Sequence, residues 1–182
     1  MRVLITGANG QLGSEIKDIA TNFPKLDCFF KDLPKLDICD FESLESFIRG
    51  HKINAVINCA AYTEVDNAEE NIEIANNVNS KGVLNIVNAL KKVNGKLIHI
   101  STDYVFNGNK SLPYTEVDPV SPIGIYGKTK RSGELVVKNS EIDAMVIRTS
   151  WLYSTYGNNF LKTILRLGNE KESLNIIYDQ KG

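Results

Sequence analysis

The sequence predicts the α/β class: a doubly wound parallel sheet with helices on both faces. Three observations carry this. Short β-branched runs alternate with longer amphipathic segments along the chain, the order that right-handed βαβ units produce. The runs VLIT, AVINC, KLIHIS and MVIRTS are almost continuously apolar, as strands covered on both faces must be. Finally, Gly7, Gly10 and Gly13 directly follow the first run and open the first amphipathic segment.

Taken in order, strands are expected at Arg2–Thr6, Leu26–Lys31, Ala55–Cys59, Lys96–Ser101, Ala144–Thr149 and Leu174–Tyr178. Helices fill the gaps. One begins near Gln11, and another spans Phe41–Gly50, with Asp40 as N-cap and Leu44, Phe47 and Ile48 on one face. In NSKGVLNIVNALKKVNGK, Val83, Leu84, Val87 and Leu90 recur at helical spacing until Asn94–Gly95 stops them. YGKTKRSGELVVKN and NNFLKTILRLGN supply two more helices, the last ending at Gly168. The proline-rich stretch from Asn107 to Ile125 is the longest irregular region, a length that in compact domains usually serves function.

At 182 residues and 42% hydrophobic content, the chain has the composition of a globular protein. Its net charge of −1 gives no electrostatic footprint for nucleic acid or an anionic membrane. Cys28, Cys39 and Cys59 are odd in number and lack C-x-x-C pairing. They are expected to be small buried hydrophobes in a reducing compartment. No signal peptide or membrane span is expected, so the expected location is cytoplasmic.

The glycine trio has a physical reading. Gly7 permits a tight turn, Gly10 lets a pyrophosphate approach the backbone, and Gly13 lets helix and strand pack closely. The helix N-terminus around Asn9, Gln11 and Leu12 then offers N–H donors and a partial positive charge. This predicts a Rossmann-type dinucleotide site. Lys31 and Asp32 follow the second strand and give conflicting signals. A carboxylate there favours the ribose of NAD, and a cation favours the 2′-phosphate of NADP. NADPH and NADH are therefore both expected cofactors.

Tyr126 and Lys130 lie four residues apart in a predicted helix, hence on one face. A cation beside a phenol favours the phenolate, so the Tyr126 pKa is expected to fall. A tyrosine tuned this way exchanges a proton with a carbonyl or alcohol. Thr102, in STDYVFNG, lies at the carboxyl end of the fourth strand, where open parallel sheets bind ligands. Ser101 is the competing candidate, since adjacent strand residues point to opposite faces. Asp103 either orients a hydroxyl, aids proton relay or closes an Asx-turn.

The G-x-x-G-x-x-G spacing, the N-A-A-type turn in NCAAYT and the Thr102, Tyr126 and Lys130 set resemble the short-chain dehydrogenase/reductase superfamily. That resemblance implies cofactor contacts at Ala60 and Ala61 and an adenine contact at Asp37 and Ile38. It also implies that Lys130 binds the ribose of the nicotinamide nucleotide. More specifically, GQLG, NCAAYTEVDNAEE, STDYVFNG, TEVDPVSPIGIYGKTKRSGE, IRTSWLY and GNNFLKT together resemble the dTDP-4-dehydrorhamnose reductase family. Such enzymes reduce the C4 keto group of dTDP-6-deoxy-L-lyxo-4-hexulose to give dTDP-L-rhamnose. The resemblance implies substrate contacts at Thr63, Val65, Trp151 and Asn159, with Asn158 and Phe160 lining the same cleft.

Relatives continue beyond IIYDQKG. The expectation is therefore a cofactor domain over residues 1–182 with only the start of a substrate region, about 151–182. That implies exposed apolar surface where packing partners are missing. The missing segment in relatives supplies much of the sugar-nucleotide pocket and, in some members, metal-linked dimer contacts. No Mg2+ ligand is identified here, and a homodimer is a possibility from the resemblance. The competing readings are a nucleotide-sugar epimerase or dehydratase, and a non-catalytic subunit resembling the regulatory subunit of methionine adenosyltransferase.

Overall fold

A computed structural model describes residues 1–176. Five parallel strands form one sheet: β1 (Arg2–Thr6), β2 (Asp27–Lys31), β3 (Ala55–Asn58), β4 (Lys96–Thr102) and β5 (Asp143–Thr149). Their spatial order is β2-β1-β3-β4-β5, so the winding reverses beside β1. At such a switch point the carboxyl ends of neighbouring strands diverge and leave a crevice. The expected strand at Leu174–Tyr178 is absent through Ile176, and Ile177 and Tyr178 lie outside the described residues.

Alternation along each strand divides its side chains between two unequal cores. Leu4, Val56 and Leu97 enter the larger core. There they meet Leu44 and Ile48 of α2 (Phe41–Gly50), Val83, Ile86, Val87 and Leu90 of α5 (Gly82–Lys91), and Val137 of α6 (Ile125–Lys138). Asp40 caps α2 by accepting from the Ser43 N–H at 3.1 Å. Leu84, expected on the buried face of α5, is exposed, and Ile86 takes the buried position.

The opposite face carries α1 (Gln11–Ala20) alone among the described helices. Val3, Ile5 and Ala55 pack there with Ile16, Phe30 and Ile57. Coverage of both sheet faces therefore holds near β1, β2 and β3. On β5, Met145 and Ile147 stay 59% and 41% exposed. An apolar groove of about 580 Å³ runs between Met145 and α1, past Ile19, Phe23 and Ile98. The cysteines follow this geography. Cys28 and Cys59 pack in the smaller core, whereas Cys39 is exposed on the loop before α2, against expectation.

Between β3 and α5 lie two unforeseen short helices, α3 (Val65–Glu70) and α4 (Ile72–Asn76). The turns then widen into a π-helical stretch, Asn77–Lys81, running directly into α5. Their contacts are with α6. Ala68 and Ala75 are fully buried, small enough to let the helices close in. Gly133 of α6 allows the tightest approach, because a Cβ there would sit 2.3 Å from the Asn79 carbonyl oxygen. Gly133→Ala should therefore force α6 away from the π turn and cost about 1–3 kcal/mol, read as a shift of the urea midpoint.

Candidate active site

The expected residues converge on the carboxyl edge of the sheet. Gly7 leaves β1 with φ +64°, a conformation open to glycine. A Cβ on it would lie 2.5 Å from the Ala60 nitrogen, so the β1 turn rests against the Cys59–Ala60 peptide. Gly13 is as constrained, its place for a Cβ lying 2.3 Å from the Gly7 carbonyl oxygen. Gly10 differs. Its backbone is extended, and only the Gly7 oxygen, at 3.3 Å, would touch an added Cβ. The outer side of Gly10 is thus open to a ligand. Gly10 is also the N-cap of α1 and provides no side-chain cap. The first N–H groups of α1, at Gln11 and Leu12, point to a region suited to anionic oxygens.

A buried polar chain ties three strands together beneath this crevice. The Thr6 hydroxyl donates to Asn58 Oδ1 at 2.6 Å, and the Ala60 N–H donates to the same oxygen at 3.2 Å. Asn58 Nδ2 lies 3.1 Å from His99 Nδ1. Burial pushes His99 down to about 3, with Lys130 adding to the shift and Glu134 opposing it. The imidazole is therefore neutral, and accepting from Asn58 at Nδ1 places its proton on Nε2. Nε2 has no partner among the described residues and faces the space left by Gly133.

Asp32 holds the glycine loop after β1 from outside. Its carboxylate accepts from the Asn9 N–H and the Leu33 N–H, each at 2.8 Å. Lys31 lies 5.2 Å over the Phe47 ring. Asp37 closes a turn by accepting from the Cys39 N–H at 2.8 Å. The Ile38 side chain is buried in the larger core, so only its backbone is left to face a ligand.

Thr102 ends β4, and its hydroxyl donates to Asp103 at 3.1 Å while accepting from the Tyr104 N–H at 3.3 Å. Tyr126 stands in the first turn of α6, with Tyr104 packed edge-on at 5.5 Å. Tyr104 therefore shapes the surroundings of Tyr126. Burial raises the Tyr126 pKa, Thr102 works against this by hydrogen bonding, and Asp103 and Tyr104 reinforce it. The expected lowering by Lys130 is not found. The reason is geometric: Lys130 Nζ is directed to the Ile100 carbonyl oxygen at 2.7 Å. Lys130 is buried, and burial brings it down to about 8, with Glu134 and Cys59 opposing. An ammonium has three donors, and the described residues provide an acceptor for one of them.

Asn79, on the π turn, was missed in the sequence. Its side chain accepts from the Tyr62 N–H at 2.9 Å and donates to the Tyr62 carbonyl at 3.0 Å. It also donates to Thr129 at 3.1 Å, and Thr129 in turn bonds the Tyr126 carbonyl at 2.9 Å. The loop carrying Ala60, Ala61 and Thr63 is thereby clamped to the turn carrying Tyr126. Glu69 adds a second clamp by accepting from the Ile125 N–H at 2.8 Å. Its helix α3 begins at Val65. The one available signal for Asn79 is its presence within helix, where asparagine is unfavourable unless its side chain has a task.

The C-terminal candidates are less uniform. Trp151 follows β5 with φ +52°, is 55% exposed, and meets Phe160 edge-on at 5.5 Å. Asn159 caps α7 (Phe160–Glu170) by accepting from the Lys162 N–H, and donates to Gln11 and the Ser154 carbonyl at 2.9 and 2.8 Å. Its amide is thus occupied in joining α7 to the start of α1. Asn158 and Phe160 are exposed.

Known proteins resemble this chain in sequence and fold. The pattern of the RmlD substrate binding domain family matches residues 1–182. A dTDP-4-dehydrorhamnose reductase of Aggregatibacter actinomycetemcomitans is 40% identical over 181 residues, which cover 100% of this chain and 62% of that protein. A Burkholderia thailandensis reductase is 41% identical, with 100% and 60% covered. Among solved structures, a Clostridium acetobutylicum dTDP-4-dehydrorhamnose reductase superposes with TM-score 0.91 at 42% identity, covering 96% of this chain and 61% of that one. A Bacillus anthracis reductase in complex with NADP gives 0.90 at 43%, covering 94% and 60%. The chain thus spans about three fifths of the length of these relatives. By full-length match, by identity and by the shared fold, it belongs to the RmlD substrate binding domain family.

Proposed function

We propose that this chain binds NADPH or NADH across the β1/β3 crevice and forms the catalytic half of a dTDP-4-dehydrorhamnose reductase. The reaction is reduction of the C4 keto group of dTDP-6-deoxy-L-lyxo-4-hexulose to dTDP-L-rhamnose. The observation that carries the reading is the convergence of Thr102, Tyr126 and Lys130 beside an uncapped helix N-terminus at the switch point. The Bacillus anthracis relative, in complex with NADP, supports the choice of cofactor.

The residues present fit a dinucleotide. Gly10 leaves the backbone open, and the N–H groups of Gln11 and Leu12 receive the pyrophosphate. Ala60 and Ala61 present a small-residue wall. The two donors of Lys130 not used by Ile100 suit a ribose diol. When bound, the reduced nicotinamide supplies the hydride that becomes the C4 hydrogen. Tyr126 then gives its proton to the keto oxygen, and the product is an alcohol beside a phenolate that regains a proton from solvent. A raised pKa keeps this phenol protonated and ready as an acid. Thr102 must turn its hydroxyl from Asp103 towards the substrate oxygen. Asp103 presets that hydroxyl, and Thr63, Val65 and Trp151 border the sugar nucleotide.

Tyr126→Phe should lower the rate of NADPH consumption with the keto sugar nucleotide by about 10²–10⁴-fold, with NADPH affinity retained. Equal rates for the two proteins would overturn the role. Gly10→Ala should leave the melting temperature close to wild type yet weaken NADPH binding in a fluorescence titration, because the methyl group enters the ligand space. Unaltered affinity would remove Gly10 from the cradle. Lys130 is charged below about pH 8 and neutral above it. NADPH affinity should accordingly fall as pH rises through that value, and a flat profile would count against Lys130 as a cofactor contact.

A further inference from the structure

Glu134 continues the Tyr126–Lys130 face of α6 by a further four residues. It is 2% exposed and points away from the crevice, into the seam between α6, β4 and β5. Its Oε1 accepts from Ser101 at 2.7 Å and from Arg148 Nε at 2.8 Å. Its Oε2 accepts from Arg131 at 2.7 Å and from Arg148 Nη2 at 2.8 Å. All four strong acceptor positions of the carboxylate are taken. Ser101 and Arg148 are register partners on β4 and β5. Arg148 also lies 4.9 Å over the Phe106 ring, beyond the turn that carries Asp103.

Replacing such a buried ion cluster with apolar side chains is commonly neutral or stabilising, so stability alone does not account for it. Position does. Ser101 precedes Thr102, and Lys130 donates to Ile100 on the same strand. Two tethers thus fix α6 to consecutive residues of β4. The groups facing Lys130 from other elements are Cys59, after β3, and His99, on β4. Burial holds the Cys59 thiol up at about 12 and His99 down, so both are neutral near pH 7. Glu134 is then the charged acidic group near Lys130, with the guanidiniums of Arg131 and Arg148 on the far side of its carboxylate.

We propose that Glu134 is a positioning residue for the Tyr126–Lys130 pair, fixing α6 against β4 and β5 and keeping the buried Lys130 ammonium charged. This rests on the reading of Lys130 as a cofactor contact, but its test does not require cofactor. In protein labelled with 13C-lysine, the Lys130 Cε resonance, assigned by its loss in Lys130→Arg, reports the amine's protonation directly. Its midpoint in wild type is expected at about 8. Glu134→Gln keeps the shape and removes the charge, and should move the midpoint down by about tenfold in proton concentration. Glu134→Asp retains the charge and should restore most of that shift.

Arg131→Gln, at a rim position with the side chain 25% exposed, removes a nearby cation and should move the midpoint upward. It carries the test alone if Glu134→Gln fails to fold. A purely structural role would lower the melting temperature in these variants and leave the midpoint in place. That result, or equal shifts for the Gln and Asp variants, overturns the proposal. NADPH titration of wild type is read in parallel. Failure to bind there overturns the proposed function, while the Lys130 midpoints still decide the role of Glu134.

Discussion

The carboxyl edge of the sheet depends on one contact, the seating of the Gly7 turn against the Cys59–Ala60 peptide. Any Cβ at position 7 would enter the space of the Ala60 nitrogen. Without that approach β1 and β3 could not bring the phosphate loop and the NCAAYT loop together at the switch point. Asn58 sits just beneath and bonds Thr6, the Ala60 N–H and His99. A side chain from the central strand thereby sets the spacing of three strand ends. The crevice is held by hydrogen bonds among buried polar atoms, whose loss costs more than their formation gains.

The two sheet faces do different work. The larger core binds α2, α5 and α6 to the sheet and places Tyr126 and Lys130 over β4. The smaller core seats α1, whose N-terminus closes the phosphate side. The groove beside α1 leaves Met145 open on β5. The proposed catalytic side chains are thus supported from the well-packed face, a sound arrangement for groups that must hold position within fractions of an ångström.

Much of this was legible because its causes are local. Strands buried on both sides write themselves as apolar runs, and the glycine trio marks a turn that other residues cannot make. Four-residue spacing put Tyr126 and Lys130 on one helix face without any tertiary knowledge. Residues 65–81 were not legible. VDNAEENIEIANNVNSK has little apolar periodicity, and its helices form through contact with α6 at Ala68, Ala75 and Asn79. The exposure of Leu84 and Met145 was hidden for a related reason: sequence gives a pattern of faces but not which neighbours arrive to cover them.

The effect of Lys130 on Tyr126 marks where spacing stops being informative. Proximity along a helix suggests a phenolate stabilised by an ammonium, and that inference assumes that the ammonium points at the phenol. Here it points at the Ile100 carbonyl, and desolvation governs both groups. Burial favours the neutral form of each, a protonated phenol and an amine that gives up its proton easily. For the proposed reduction the first of these is useful and the second is not. The acid must hold its proton until a keto oxygen arrives, so a phenol left with a raised pKa is better prepared than one already ionised. Lys130 then has to be kept charged by something other than solvent. The carboxylate one turn further along the same helix is the group placed to do it, which binds the electrostatics of the crevice to the packing of α6 on the sheet.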